Sequence, residues 1–96
     1  MFERFDWDPE KNIANIKKHG ISFDEASTVF EDTEALYKAD PDHSNSEDRF
    51  IIIGISENSR LLMVCHCYRE SETVIRIISA RKATKSEFAE YGGKVL

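Results

Sequence analysis

Apolar residues in the first third of the chain are spaced for helices, and those in the second half fall in strand-like runs. Phe2 to Trp7 alternates weakly and reads as a short strand. Asp8-Pro9-Glu10 then has the form of a helix start, with an Asp cap, Pro in the first turn and an acid near the positive dipole end. Ile13 and Ile16 give this helix a narrow apolar stripe. Lys17 and Lys18 suit its last turn, and Gly20 stops it. A second helix opens on the capping box Ser22-Phe23-Asp24-Glu25 and carries Phe23, Ala26, Val29 and Phe30 before ending near Asp32 and Thr33. Ala35 to Ala39 reads as a short strand. Residues 40–48 are polar throughout and form a loop. Three strands follow over Arg49–Ser56, Arg60–Arg69 and Thr73–Ala80, joined by short turns as an antiparallel meander. A second capping box, Thr84-Lys85-Ser86-Glu87, opens a short helix with Phe88 and Tyr91 that stops at Gly92-Gly93.

This order of strand, helix, helix, strand, meander and helix predicts an α+β fold. Two N-terminal helices cover one face of an antiparallel sheet, and a short C-terminal helix ends the domain. The other sheet face is left to present a site.

With 96 residues, 41% hydrophobic and 32% charged, the chain has room for one core and so one domain. It has no apolar run long enough to cross a membrane and no apolar leader at its start, so a cytoplasmic protein is expected. The net charge of −5 argues against a simple nucleic-acid binder, but its distribution changes that reading. Residues 1–58 hold 6 Lys/Arg and 14 Asp/Glu, whereas residues 59–96 hold 7 and 4. Such asymmetry permits a basic site on an acidic body, or a solvated surface with accidental clustering. Cys65 and Cys67 stand two apart on a strand, which suits free thiols better than a disulfide. A metal regulator built on Cys65, His66 and Cys67 would have to accommodate an imidazole facing away from both sulfurs, with no second Cys/His pair elsewhere. No metal or cofactor is expected.

The candidate chemistry is electrostatic. Arg76 interrupts the apolar run TVIRIISA, where it is either an anion ligand on the exposed face or the partner of a neighbouring acid. Antiparallel pairing brings Arg60 towards Arg81 and Lys82 at one sheet edge. Arg76 and Arg81 have opposite parity, so they share a face only if a bulge or the strand end intervenes. Lys18 and His19 end the first helix, either satisfying its dipole or serving a site. His43, Glu47 and Arg49 bracket the polar loop, where solvated loop residues are the plain alternative. No nucleophile elbow, phosphate-binding glycine loop or HExxH is present.

The segments FDWDPEKNIANIKKHGISFDEASTVFED, DPDHSNSEDRFIIIG and IRIISARKATKSEFAEY resemble the BrnT toxins of bacterial type II toxin–antitoxin systems, over about residues 5–91. The resemblance implies a RelE-like fold and a metal-independent RNA endonuclease that inhibits translation. It also implies a ribbon-helix-helix antitoxin partner of the BrnA type and contact with operator DNA only through that partner. The family pattern falls on Lys18, His19, His43, Glu47, Arg49, Arg60, Arg76, Arg81 and Lys82. Arg76 and Arg60 are expected on the scissile phosphate, with His19 or Glu47 as proton-transfer groups. Lys18, Arg49, Arg81 and Lys82 are expected to bind RNA. The short glycine-rich segment after Tyr91 departs from the family pattern. The alternative is a non-catalytic module that keeps only antitoxin binding or a regulatory contact.

Overall fold

Among the described residues, the strands and α-helices follow the predicted order, with a 3₁₀ turn after the second helix. They are β1 (Arg4–Asp6), α1 (Pro9–His19), α2 (Phe23–Thr28) with a 3₁₀ turn at Val29–Glu31, β2 (Leu36–Ala39), β3 (Phe50–Ile55), β4 (Leu61–Arg69), β5 (Val74–Lys82) and α3 (Lys85–Tyr91). The structure is a computed structural model and describes residues 4–40 and 48–92. All three helices start as their sequences predict. The side chains of Asp8, Ser22 and Thr84 accept backbone N–H groups at the helix N-termini, and Gly20 closes α1 in the left-handed conformation at φ 72°.

The five strands form one sheet in the order β1-β5-β4-β3-β2. It is mixed rather than antiparallel as expected, because β1 runs parallel to β5, with Phe5 opposite Ile75 and Asp6 opposite Arg76. No hairpin joins these two strands; all the intervening elements lie between them in the chain, so nothing forces them antiparallel.

The sheet separates two apolar layers. On one face Ile52, Leu62, Val64, Ile75, Ile77 and Ala80 pack with Ile21, Phe23, Ala26 and Val29 from the helical segment. On the other, Ile53, Leu61 and Met63 pack with Tyr91 and Phe88 of α3. The second layer covers only one end of that face.

The narrow apolar stripe of α1 points away from the core. Ile13 and Ile16 are 55% and 43% exposed, while Asn15 is buried. Hydrogen bonding accounts for this orientation. Asn15 Nδ2 donates to the Ile21 and Ala80 carbonyls, both at 2.8 Å, and Asn15 Oδ1 accepts from the Ala80 amide at 3.1 Å. Asn12 Oδ1 accepts the Phe23 amide at 2.8 Å. Two asparagines therefore dock α1 onto α2 and β5 through backbone groups. Asn15→Leu strands both backbone groups of Ala80 without this partner, and should lower unfolding free energy by about 3 kcal/mol in a denaturant titration.

His66 is fully buried in the helix-side layer. Its ring lies 4.8 Å from Phe30 and 5.4 Å from Tyr68, and its nitrogens meet the Val64 carbonyl and the Tyr68 hydroxyl. Burial pushes its pKa down to about 4. Below pH 6.5 the unfolded imidazole takes up a proton that the native ring refuses until about pH 4. Stability should therefore fall by about 1.4 kcal/mol per pH unit across that window. Unfolding titrations at stepped pH should show this slope removed in His66→Phe.

Candidate functional site

Strand alternation alone would put Arg76 and Arg81 on opposite faces. The β4–β5 register changes between Cys65 and His66: Cys65 pairs with Ser79, but His66 pairs with Ile77. Ile78 is the extra residue of a bulge in β5. Because of it, Arg76, Ser79 and Arg81 oppose Cys67, Cys65 and Met63, and cross-strand partners share a face. This is the face away from α1 and α2, and α3 covers only part of it.

A cavity of about 420 Å³ opens there. Lys38, Arg49 and Arg81 supply positive charge, Asp40 and Glu87 supply carboxylates, Ile51, Met63 and Cys65 form the apolar lining, and Ser79 adds a hydroxyl. Lys38 reaches it because β2 pairs with β3 so that Lys38 lies opposite Ile51. Arg49 is carried beside Asp40, whose amide donates to the Arg49 carbonyl at 3.1 Å. The Cys65 thiol lies 3.6 Å from Asp40 Oδ2, and burial, reinforced by the Asp40 charge, pushes it up to about 11, so it stays a thiol. Neither Cys65 nor Cys67 is in a disulfide. His66 faces the opposite layer, so the three side chains of Cys65-His66-Cys67 do not converge.

Three of the cations on this face are held by acids. Arg81 makes two bonds to Glu87, at 2.8 and 2.9 Å, and Lys38 Nζ lies 2.9 Å from Glu90; both acids are on α3. Arg76 Nη1 lies 2.6 Å from Asp6 of β1. The Arg81 guanidinium holds the Glu87 carboxyl below the usual carboxylate range. Glu87 also accepts the Thr84 amide, so the capping box that starts α3 simultaneously fixes Arg81. Asp32 seats the far end of α3. It accepts the Tyr91 hydroxyl at 2.7 Å and the Ile55 amide at 2.8 Å.

The other expected site residues lie elsewhere. Arg60 does not join Arg81. Its guanidinium donates to both carboxylate oxygens of buried Glu25 and to the Gly20 carbonyl. Glu25 also accepts the Ser56 hydroxyl at 2.6 Å, and the Arg60 bond is the main reason its carboxyl is held low. Arg60 and Lys82 instead line a separate groove of about 310 Å³ beside Phe88. Lys82 pairs in register with Leu62, whose side chain belongs to the helix-side core. Lys18 and His19 end α1 in the helical layer, across the sheet from Arg76 and Arg81. Glu47 and His43 fall outside the described residues.

Sequence reasoning missed Lys38, Asp40 and Glu87 as site residues. The period-2 pattern from Leu36 through Lys38 to Asp40 carried the signal for the first two. Glu87 was legible only as a capping residue.

The family described as the BrnT ribonuclease toxin of type II toxin–antitoxin systems matches residues 7–87. The crystal structure of the Brucella abortus ribonuclease toxin BrnT is similar at a TM-score of 0.61 and 25% identity, covering 85% of this chain and 97% of that one. No curated protein sequence matches the chain. Both matches point to a ribonuclease toxin, and the non-catalytic alternative is not favoured. No helix among the described residues is long and apolar enough to cross a membrane. With a five-stranded α+β fold that matches a solved BrnT and a family signature over most of its length, the chain belongs to the BrnT ribonuclease toxins of type II toxin–antitoxin systems.

Proposed function

We propose that this chain cuts RNA on the open sheet face, by attack of a ribose 2′-OH on the adjacent phosphate. The observation that carries this reading is the bulge at Ile78, which gathers Arg76, Ser79 and Arg81 on the face that also carries Lys38 and Arg49. Residues 1–96 then act as one RelE-like domain, with helices behind the sheet and the open face as the working surface.

An RNA phosphate entering this face meets guanidinium forks that now hold carboxylates. Arg76 exchanges Asp6 for a phosphate oxygen and stabilises the charge of the crowded phosphorane. Arg81, Arg49 and Lys38 hold the neighbouring backbone. Asp40, in the same cavity, takes the 2′-OH proton; the bond from phosphorus to the 5′-oxygen breaks as the 2′,3′-cyclic phosphate forms, and the leaving 5′-oxygen takes a proton from water. Protein cations suffice for this chemistry and no cofactor is invoked. Lys82 and Lys18 add long-range attraction for RNA from the sheet end and the helix layer.

Arg60 has a different part in this reading. It neutralises buried Glu25 and so ties α2 to the β3–β4 turn. His19, across the sheet, is likewise left out of proton transfer. The partner is an antitoxin of the ribbon-helix-helix BrnA type, and operator DNA is contacted through it. Toxin and antitoxin meet in the cytoplasm.

Two variants separate the roles. Arg76→Ala should cut RNA at least ~100-fold more slowly, the scale of losing one preorganised charge-stabilising donor. Its melting temperature should barely change, because its ion pair with Asp6 is about half exposed on the acid side. Arg60→Ala should do the reverse, lowering the melting temperature because Glu25 is left buried without its cation, while the folded fraction keeps near-normal turnover. Cleavage of defined RNA in EDTA and thermal unfolding on the same preparations decide it. Wild-type cleavage by a well-folded Arg76→Ala would refute the assignment.

A further inference from the structure

The outward face of α1 is left unexplained by the catalytic reading. Its inward side is polar, with Asn12 and Asn15 spent on backbone hydrogen bonds to Phe23, Ile21 and Ala80. Its outward side carries the apolar residues. Ile13 and Ile16 are two of the three large hydrophobic side chains that are exposed among the described residues. Residues three and four apart on a helix are surface neighbours, so Ile13, Ile16 and Lys17 form one patch, with Lys18 beside it. Lys11, Lys17 and Lys18 are all exposed and make no ion pair among the described residues. A helix packed with its polar side inward and its isoleucines outward has the polarity of an element that meets a second partner.

Charge selects the occupant. Pairing α1 with a second copy, antiparallel and with Ile13 against Ile16, sets Lys11 against Lys18 and is repulsive. RNA would meet the lysines but gain nothing from two isoleucines. A protein helix with apolar residues at i and i+3, flanked by carboxylates, satisfies both features. We propose that α1 is an anchoring surface for the antitoxin, received through an acidic amphipathic helix on Ile13, Ile16, Lys17 and Lys18. This rests on the toxin–antitoxin reading. Because α1 lies across the sheet from Arg76 and Arg81, the anchor binds without itself covering the catalytic face. It therefore supplies affinity, and blocking of RNA falls to another part of the antitoxin.

The test uses the toxin and the antitoxin encoded beside it, with affinity measured by calorimetry. Ile13→Ser combined with Ile16→Ser should weaken binding about 100-fold, as expected from losing two partly buried isoleucine contacts. Lys17→Glu combined with Lys18→Glu should weaken binding too, and should flatten its salt dependence. Free Ile13→Ser/Ile16→Ser toxin should melt like wild type and cut RNA at the wild-type rate. Unchanged affinity in both double variants, with wild-type toxin still held, overturns the anchor and leaves the toxin–antitoxin reading standing. A wild-type chain that this antitoxin does not bind overturns both. A wild-type chain that dimerises alone, through a contact the isoleucine variant loses, assigns the face to a second copy and overturns the antitoxin assignment.

Discussion

The open face of this protein depends on one extra residue in a strand. In a regular ladder, side chains alternate between faces, and Arg76 and Arg81 would be divided between the core and the surface. The bulge at Ile78 restores the alternation out of phase, so that Ile75, Ile77 and Ala80 all enter the helix-side core while Arg76, Ser79 and Arg81 all leave it. The arrangement is held from behind. Asn15 grips both backbone groups of Ala80, two residues beyond the bulge, and it is the side chain that docks α1 there. A polar contact in the helix layer thereby fixes the phase of the strand that carries the cations.

The two faces then follow different rules. Behind the sheet, the buried carboxylate Glu25 is paired with a cation. Glu25 and Arg60 tie α2 to the turn between β3 and β4, and His66 stays neutral among aromatic rings. On the other side, the same kinds of pairs are less deeply buried. Arg76 with Asp6, Arg81 with Glu87 and Lys38 with Glu90 each keep at least one partner well exposed or supplied by the short helix α3. In the proposed reading, an entering phosphate competes with these carboxylates for cations that are already in place, the arrangement that electrostatic stabilisation of a phosphorane requires.

The local signals in the sequence were strong and mostly legible. Three helix caps and the meander came from Asp8, Ser22, Thr84 and the apolar runs after residue 49. What could not be read locally depends on partners distant in the chain. The parallel docking of β1 and the hold of Glu25 on Arg60 are set by contacts made only in the folded chain. Opposite parity left a bulge or the strand end as the two ways for Arg76 and Arg81 to share a face, and only the folded register shows that it is a bulge and where it lies. The spacing of Ile13 and Ile16 marked an amphipathic helix without saying which side faces the core. Hydrogen bonds from Asn12 and Asn15 decided that. Of the expected site, Arg49, Arg76 and Arg81 share the open face. Arg60, Lys82, Lys18 and His19 lie elsewhere, and Glu47 falls outside the described residues.

The most direct test of the open face is photo-crosslinking. A short RNA carrying 4-thiouridine beside a 2′-deoxy block at the cleavage position would be irradiated with the protein and the attached peptides mapped. The crosslinks should fall on the residues that line the cavity on that side of the sheet, around Lys38, Arg49 and Arg81. Crosslinks confined to α1, or to the groove between Arg60 and Phe88, would contradict the assignment of RNA cleavage to the face that the bulge creates.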